Sequence, residues 1–249
     1  MKLDRVIAVR NNKTVYRDGD RCIKVFNAEH SKAKVLKEAF NQSLIEETGI
    51  NVPKIIEVTM LDSKWAIVSE FIKGKTLAQY MEECPEKKEE YISFFTDLQM
   101  NIHSKTAPCL DKLREKMNRQ IAQTEIDATM RYALCSCLDN MPKDSKICHG
   151  DFNPSNIIMD NNEVPYILDW SRATQGNTSA DVIRSYFLFM LDEDKTGADT
   201  YLDMICTKSN TNKKDFQKWI PIVAAADLVK CNEREREFLI KWVNTVRNK

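Results

Sequence analysis

The apolar residues of this chain change their period near Gly74, and that change limits the possible folds more than any other feature. Before it, short apolar runs at 6–9, 15–17 and 22–26 are separated by Asn11-Asn12 and by Asp18-Gly19-Asp20, the second a hairpin signal. From Ser31 the period lengthens. Val35, Leu36, Ala39, Phe40, Leu44 and Ile45 recur at helical spacing and stop at Gly49. Ser31 reads as the N-cap of that helix and Gly49 as the residue that ends it. Residues 54–60 and 65–71 then read as a strand pair turned at Leu61-Asp62-Ser63. From Thr76 to Asn140 the spacing is helical, with breaks near Pro85 and Pro108 and helices expected at 87–104, 110–123 and 126–138. A short β region at 147–170 follows. The remainder reads as helix, with a capping-box-like start at Thr178-x-x-Asp181 and a charged amphipathic tail from 233 to 249.

This order predicts an α+β fold with two lobes. Residues 1–73 form a small five-stranded β lobe with one helix, and residues 74–249 form a larger, mainly helical lobe. The segment Glu70-Phe71-Ile72-Lys73-Gly74 joins them, and a cleft between lobes is a preferred place for a ligand. Composition narrows the function classes. Lysine plus arginine equals aspartate plus glutamate at 37 each, so the basic excess of a nucleic-acid binder is missing. No stretch reaches the roughly 18 apolar residues of a membrane-spanning helix. Charges at Asp4, Arg5 and Arg10 break up any signal peptide. The 8 cysteines are scattered without a CxxC pair, which favours reduced thiols and a cytoplasmic protein over a disulfide framework or a zinc site.

The chemistry lies in Cys148-His149-Gly150-Asp151-Phe152-Asn153-Pro154-Ser155-Asn156-Ile157-Ile158 and, further on, Ile167-Leu168-Asp169-Trp170. Ile157 to Met159 reads as a strand, Asp160-Asn161-Asn162-Glu163 as a turn and 164–168 as the returning strand. Such a hairpin brings Asn156 and Asp169 to the same open end. An amide oxygen and a carboxylate there are hard oxygen ligands suited to Mg²⁺, which takes one or two protein ligands and completes its shell with phosphate and water. Asp151, in the loop before this hairpin, is suited to accept the proton of an attacking hydroxyl. Phosphoryl transfer needs little beyond such positioning and charge neutralisation. His149 reads as a structural residue bonded to the loop backbone. No GxxxxGK[ST] motif is present, which excludes a P-loop NTPase.

Asp-x4-Asn followed by an aspartate at a strand end is the arrangement of the protein-kinase catalytic loop and metal-binding aspartate. Here Gly150 stands where an arginine is usual, Trp170-Ser171 follow Asp169, and no Ala-Pro-Glu segment appears. In this form the chain resembles the aminoglycoside phosphotransferase and choline kinase family, and the lobe order extends the resemblance over nearly the whole length. The resemblance implies a protein-kinase-like fold and a small-molecule kinase using Mg²⁺ with ATP or GTP. It implies that Asp151 is the catalytic base, that Asn156 and Asp169 hold the metal, and that Lys24 holds the nucleotide phosphates. Glu38 is the expected partner of Lys24, with Glu46 as the alternative. Glu70 and Ile72 belong to the segment that reads the nucleotide base. Asn11-Asn12-Lys13-Thr14 replaces a glycine-rich phosphate loop, with Thr14 offering a hydroxyl.

Two rival functions stay open at this stage: a protein Ser/Thr kinase and a catalytically silent nucleotide-binding module. The acceptor is a small hydroxyl compound that no motif identifies. The acidic run Asp192-Glu193-Asp194 reads either as a solvated loop or as an attraction for a cationic acceptor.

Overall fold

The computed structural model describes residue 3, residues 5–10 and residues 12–245. Asn11 of the loop that precedes Lys13 and the last residues of the charged tail, 246–249, lie outside the described residues. The chain divides into two compact units. The first comprises Met1–Pro85 and Pro154–Arg172, the second Glu86–Asn153 and Ala173–Lys249.

The first unit is built on an antiparallel sheet. Strands β1 (Arg5–Arg10), β2 (Lys13–Asp18) and β3 (Arg21–Phe26) form a meander. Helix α1 (Lys32–Glu46) leads to β4 (Ile55–Leu61) and β5 (Lys64–Glu70), and the sheet order is β1-β2-β3-β5-β4. These are the strands and the helix that the sequence periods predict. The β4–β5 turn places Asp62 at φ 47° and Ser63 at φ 63°, the left-handed pair of a type I′ hairpin. Alternation along β3 sorts the core. Ile23 and Val25 pack with Ala66 and Val68 on one face, and Phe26 packs with Ile67, Val35 and Ala39 under α1 on the other.

Ser31 caps α1 as its spacing predicts, but the buried stripe is more polar than the apolar residues suggest. Leu36 and Phe40 are exposed, while Glu38, Asn41 and Gln42 are buried. The amide nitrogens of Asn41 and Gln42 find partners. Asn41 Nδ2 donates to the Trp170 carbonyl at 3.2 Å and Gln42 Nε2 to the Pro53 carbonyl at 2.5 Å. The inward face of α1 therefore serves a polar site as well as the core.

The unit is completed by β6 (Gly74–Thr76), helix α2 (Leu77–Glu83) and, after the second unit's first segment, the hairpin of β8 (Ile157–Asp160) and β9 (Pro165–Ile167). These strands form a small sheet in the order β6-β8-β9. At Gly74 a Cβ would meet the Met159 carbonyl oxygen at 1.9 Å, so β6 approaches β8 too closely for any side chain.

The second unit is mainly helical. It holds α3 (Lys88–Ser104), α4 (Leu113–Ala122), α5 (Ala128–Asn140), α6 (Thr178–Leu191), α7 (Lys195–Ser209), α8 (Lys213–Gln217), α9 (Ile220–Asp227) and α10 (Glu233–Val243). A two-stranded ribbon pairs β7 (Lys146–Cys148) with β10 (Thr174–Gly176). Among the described residues, no helix is long and apolar enough to cross a membrane.

Candidate active site

In the first unit, the alternation that buries Phe26 also points Lys24 toward α1. Its Nζ pairs with Glu38 Oε1, so the expected pair of Lys24 and Glu38 is brought together, and Glu46 instead accepts the Ile55 N–H at 2.9 Å. Sequence reasoning passed over a second lysine. Lys13 opens β2 opposite Phe26, with Val15 opposite Lys24, so Lys13 and Lys24 share one face of the sheet. Lys13 is only 8% exposed. Its ammonium lies 3.4 Å from Glu38 Oε1 and 3.0 Å from Asp169 Oδ2. Thr14, one residue on, faces the other side with Val25, away from this cluster.

The β8–β9 hairpin is as the sequence predicts. Ile157 pairs with Ile167, and the Leu168 N–H donates to the Asn156 carbonyl at 2.8 Å, which holds Asn156 and Asp169 at the same open end. Asp169 has φ 59°. That left-handed geometry is uncommon outside glycine and concentrates at functional positions. Its Oδ2 meets Lys13, while its buried Oδ1 has no hydrogen-bond partner. Burial pushes the Asp169 carboxyl upward, but Lys24 and Lys13 outweigh it and hold the group far below the usual carboxylate range. Burial likewise depresses the Lys24 ammonium, and the charges of Asp169 and Glu38 more than reverse that, leaving it above its ordinary value.

These residues fit a magnesium ion. A buried ionised carboxylate with an unengaged oxygen, beside an asparagine, offers the hard donors that Mg²⁺ takes in small number. The expected base-reading residues lie at the end of β5. Glu70 pairs with Arg21, and its carboxylate accepts the Lys54 N–H at 3.2 Å. Phe71 N–H donates to the Asp20 carbonyl at 2.9 Å, and Ile72 follows outside the sheet.

In the second unit, Asp151 lies in a loop fixed from behind by α6. Asp181 accepts the His149 N–H at 3.1 Å, the Gly150 N–H at 2.6 Å and a contact from His103 Nε2 at 2.9 Å. Burial would raise the Asp181 carboxyl, but the His103 hydrogen bond, the His103 and His149 charges and the Gly150 N–H lower it overall. Asp181 is thus not the capping-box partner that its spacing suggests. Asn177 caps α6 instead, accepting from the Ser179 N–H, because the Asp181 side chain is drawn inward to the loop. His149 is fully buried and takes the structural role expected for it, its Nδ1 accepting the Asp151 N–H at 3.2 Å.

One turn further along α6, Arg184 reaches Asp151 Oδ1 at 3.5 Å and Asp227 Oδ2 at 2.9 Å. Burial disfavours the charged guanidinium, and the Asp227 and Asp151 carboxylates more than compensate. Ser185 donates to the Phe152 carbonyl at 2.8 Å. Asp181, Arg184 and Ser185 recur at i, i+3 and i+4, the spacing of one helix face. Polar residues at that spacing inside an otherwise apolar helix were the available signal for this support.

Two residues of the acidic run at 192–194 have partners within the fold. Asp194 caps α7 through the Gly197 N–H at 2.9 Å and pairs with Lys88 at 2.6 Å, and Glu193 pairs with Arg234.

The model of the phosphotransferase enzyme family matches residues 5–215. No curated protein sequence matches the chain. Choline kinase LicA from Streptococcus pneumoniae has a similar solved structure at 14% identity, with a TM-score of 0.65 and coverage of 100% of this chain and 94% of that one. A ternary complex of a thermostable mutant of aminoglycoside phosphotransferase APH(4)-Ia with ADP and hygromycin B gives 13% identity and a TM-score of 0.68, covering 97% and 92%. Aminoglycoside-3'-phosphotransferase of type VIII gives 17% identity and 0.65, covering 90% and 92%. At these identities the likeness establishes a shared protein-kinase-like fold, α+β with a five-stranded antiparallel sheet.

Proposed function

Since the chain belongs to the phosphotransferase enzyme family, we propose that it transfers the γ-phosphoryl group of ATP or GTP to a hydroxyl of a small-molecule acceptor. The observation that carries this reading is the charge cluster of Lys13, Lys24, Glu38 and Asp169, with Asp169 Oδ1 buried and unengaged. Such a cluster is costly to bury and has little structural use that an apolar core would not serve better. It is suited to a polyanion carried with a divalent cation.

In this reading Lys24, oriented by Glu38, holds nucleotide phosphates, and Asn156 and Asp169 hold Mg²⁺. The ion, when bound, neutralises charge on the phosphates as the leaving group departs. Asp151, steadied by Arg184 and by the His149 ring nitrogen, orients the acceptor hydroxyl and takes its proton. Glu70 and Ile72 stand where the backbone would read the base, so ATP and GTP are both tested. The related folds serve choline in one protein and hygromycin B in another, so the acceptor is sought among amino alcohols, thiamine, amino sugars and aminoglycosides.

The test is phosphate transfer from ATP and from GTP, with Mg²⁺, across that panel. Asp151→Asn should lose roughly 10²–10⁴ of turnover, the size of a general-base contribution, while still binding nucleotide. Full turnover in that variant would remove Asp151 from the mechanism. Labelling of protein substrates instead would favour a protein kinase, and nucleotide binding with no transfer a silent module.

A further inference from the structure

A lysine is almost never fully buried unless it is paired, because its ammonium loses its hydration. Lys13 is buried at the start of β2, where the strand pairing fixes it on the Lys24 face of the sheet. Its ammonium is surrounded by close partners. Asp169 Oδ2 stands at 3.0 Å, Glu38 Oε1 at 3.4 Å, and the Phe26 ring centroid at 5.9 Å. Glu38 is already the partner of Lys24, through the same oxygen. Lys13 therefore depends chiefly on Asp169.

Asp169 is engaged unevenly, one oxygen on Lys13 and the other buried without a well-formed hydrogen bond, with the Ser171 side chain as its neighbour. The cluster is neutral as it stands, a pair of ammoniums against a pair of carboxylates. A divalent ion on Asp169 would leave it strongly positive, and close like charges in a poorly solvated site repel strongly. The excess is removed when phosphates arrive with the ion and the Lys13 ammonium turns from the carboxylate to a phosphate oxygen. The flexible stem of lysine permits this swing.

We infer that Lys13 is a second phosphate-holding lysine that, before nucleotide binds, occupies Asp169 as a stand-in cation and is exchanged for the metal. This rests on the functional reading above and adds to it a residue and an order of events. Lys13 acts twice: it pairs with Asp169 and orients it in the empty enzyme, and it grips phosphate in the loaded one.

Two equilibria test it without turnover. Binding of Mn²⁺ alone to the nucleotide-free protein is followed by electron paramagnetic resonance, and binding of ADP is followed by calorimetry in saturating Mg²⁺. Lys13→Met should bind Mn²⁺ several-fold more tightly, because the competing ammonium is gone. It should bind ADP with Mg²⁺ about tenfold more weakly, a loss of about 1.4 kcal/mol. Lys13→Gln, which keeps a polar side chain in the same space, is measured in parallel in case the methionine variant does not fold. Unchanged ADP affinity in a folded variant, or weaker Mn²⁺ binding, would overturn the inference and leave the kinase reading standing. Failure of the unmodified protein to bind any nucleotide would overturn both.

Discussion

The carboxylate of Asp181 accepts the backbone N–H of Gly150 at 2.6 Å, and Gly150 has φ 78°. One buried side chain on α6 thereby fixes the peptide that precedes Asp151. Asp181→Ala strands the His149 and Gly150 N–H groups without an acceptor. It should cost about 2–5 kcal/mol by chemical denaturation, the range for a buried charge-assisted network. The same contacts set a pH dependence. Because the folded state lowers the Asp181 carboxyl, its contribution is complete above the unfolded value of about 4 and is lost as pH falls through the depressed folded value. Asp181→Asn should flatten the acid limb of a stability-versus-pH curve.

Lys24 and Glu38 act as a pair across β3 and α1. Lys24→Met should reduce kcat/KM by roughly 10²-fold, comparable to the loss of a preorganised electrostatic group. Glu38→Gln should lose less, since Glu38 would act only through the lysines it touches. Combined, the losses should fall short of their sum, because the second substitution removes a partner already made idle. Steady-state kinetics on the two single variants and the double one give the coupling directly, and additive losses would mean that the two residues work separately.

Arg184 touches the proposed catalytic carboxylate and belongs, like it, to the second unit. The lysine cluster belongs to the first. Arg184→Gln should therefore lower kcat while leaving KM for nucleotide near its original value. A rise in nucleotide KM with unchanged kcat would assign Arg184 to nucleotide binding.

The β4–β5 turn contains Ser63 at φ 63°, a conformation that glycine enters without a Cβ penalty. Ser63→Gly should stabilise the protein by about 0.5–1 kcal/mol despite the added freedom of the unfolded chain. A raised thermal midpoint with unchanged activity is the expected result.

The strands and α1 were legible because their periods are regular and their breaks carry Asp, Asn and Gly. The β8–β9 hairpin was legible for the same reason, and with it the approach of Asn156 to Asp169. Glu38 could be placed because the turn of α1 fixes which positions look inward. Lys13 could not, because a lysine beside a turn reads as solvated until the strand register shows which face it shares with Lys24. Asp181 was misread as a cap because Thr178-x-x-Asp181 satisfies the local rule, while its real partners, His149 and Gly150, are remote in sequence. Arg184 shares the polar i, i+3, i+4 spacing of α6, whereas Asp227 was invisible, because a side chain that supports another from a different helix leaves no spacing to count.

The hairpin that carries Asp169 is covalently late. The Ile167 N–H closes on the Asn51 carbonyl, β8 pairs with β6, and Asn41 waits for the Trp170 carbonyl, yet residues 86–153 are made in between. During synthesis the amino-terminal sheet must therefore leave the ribosome with α1's buried polar face uncovered, and its charges gain their last counter-charge only when residue 169 follows. A protein truncated after Pro85 would keep Lys13, Lys24 and Glu38 but lack the carboxylate that balances them, so the charge cluster is sealed by the middle of the chain rather than by its beginning.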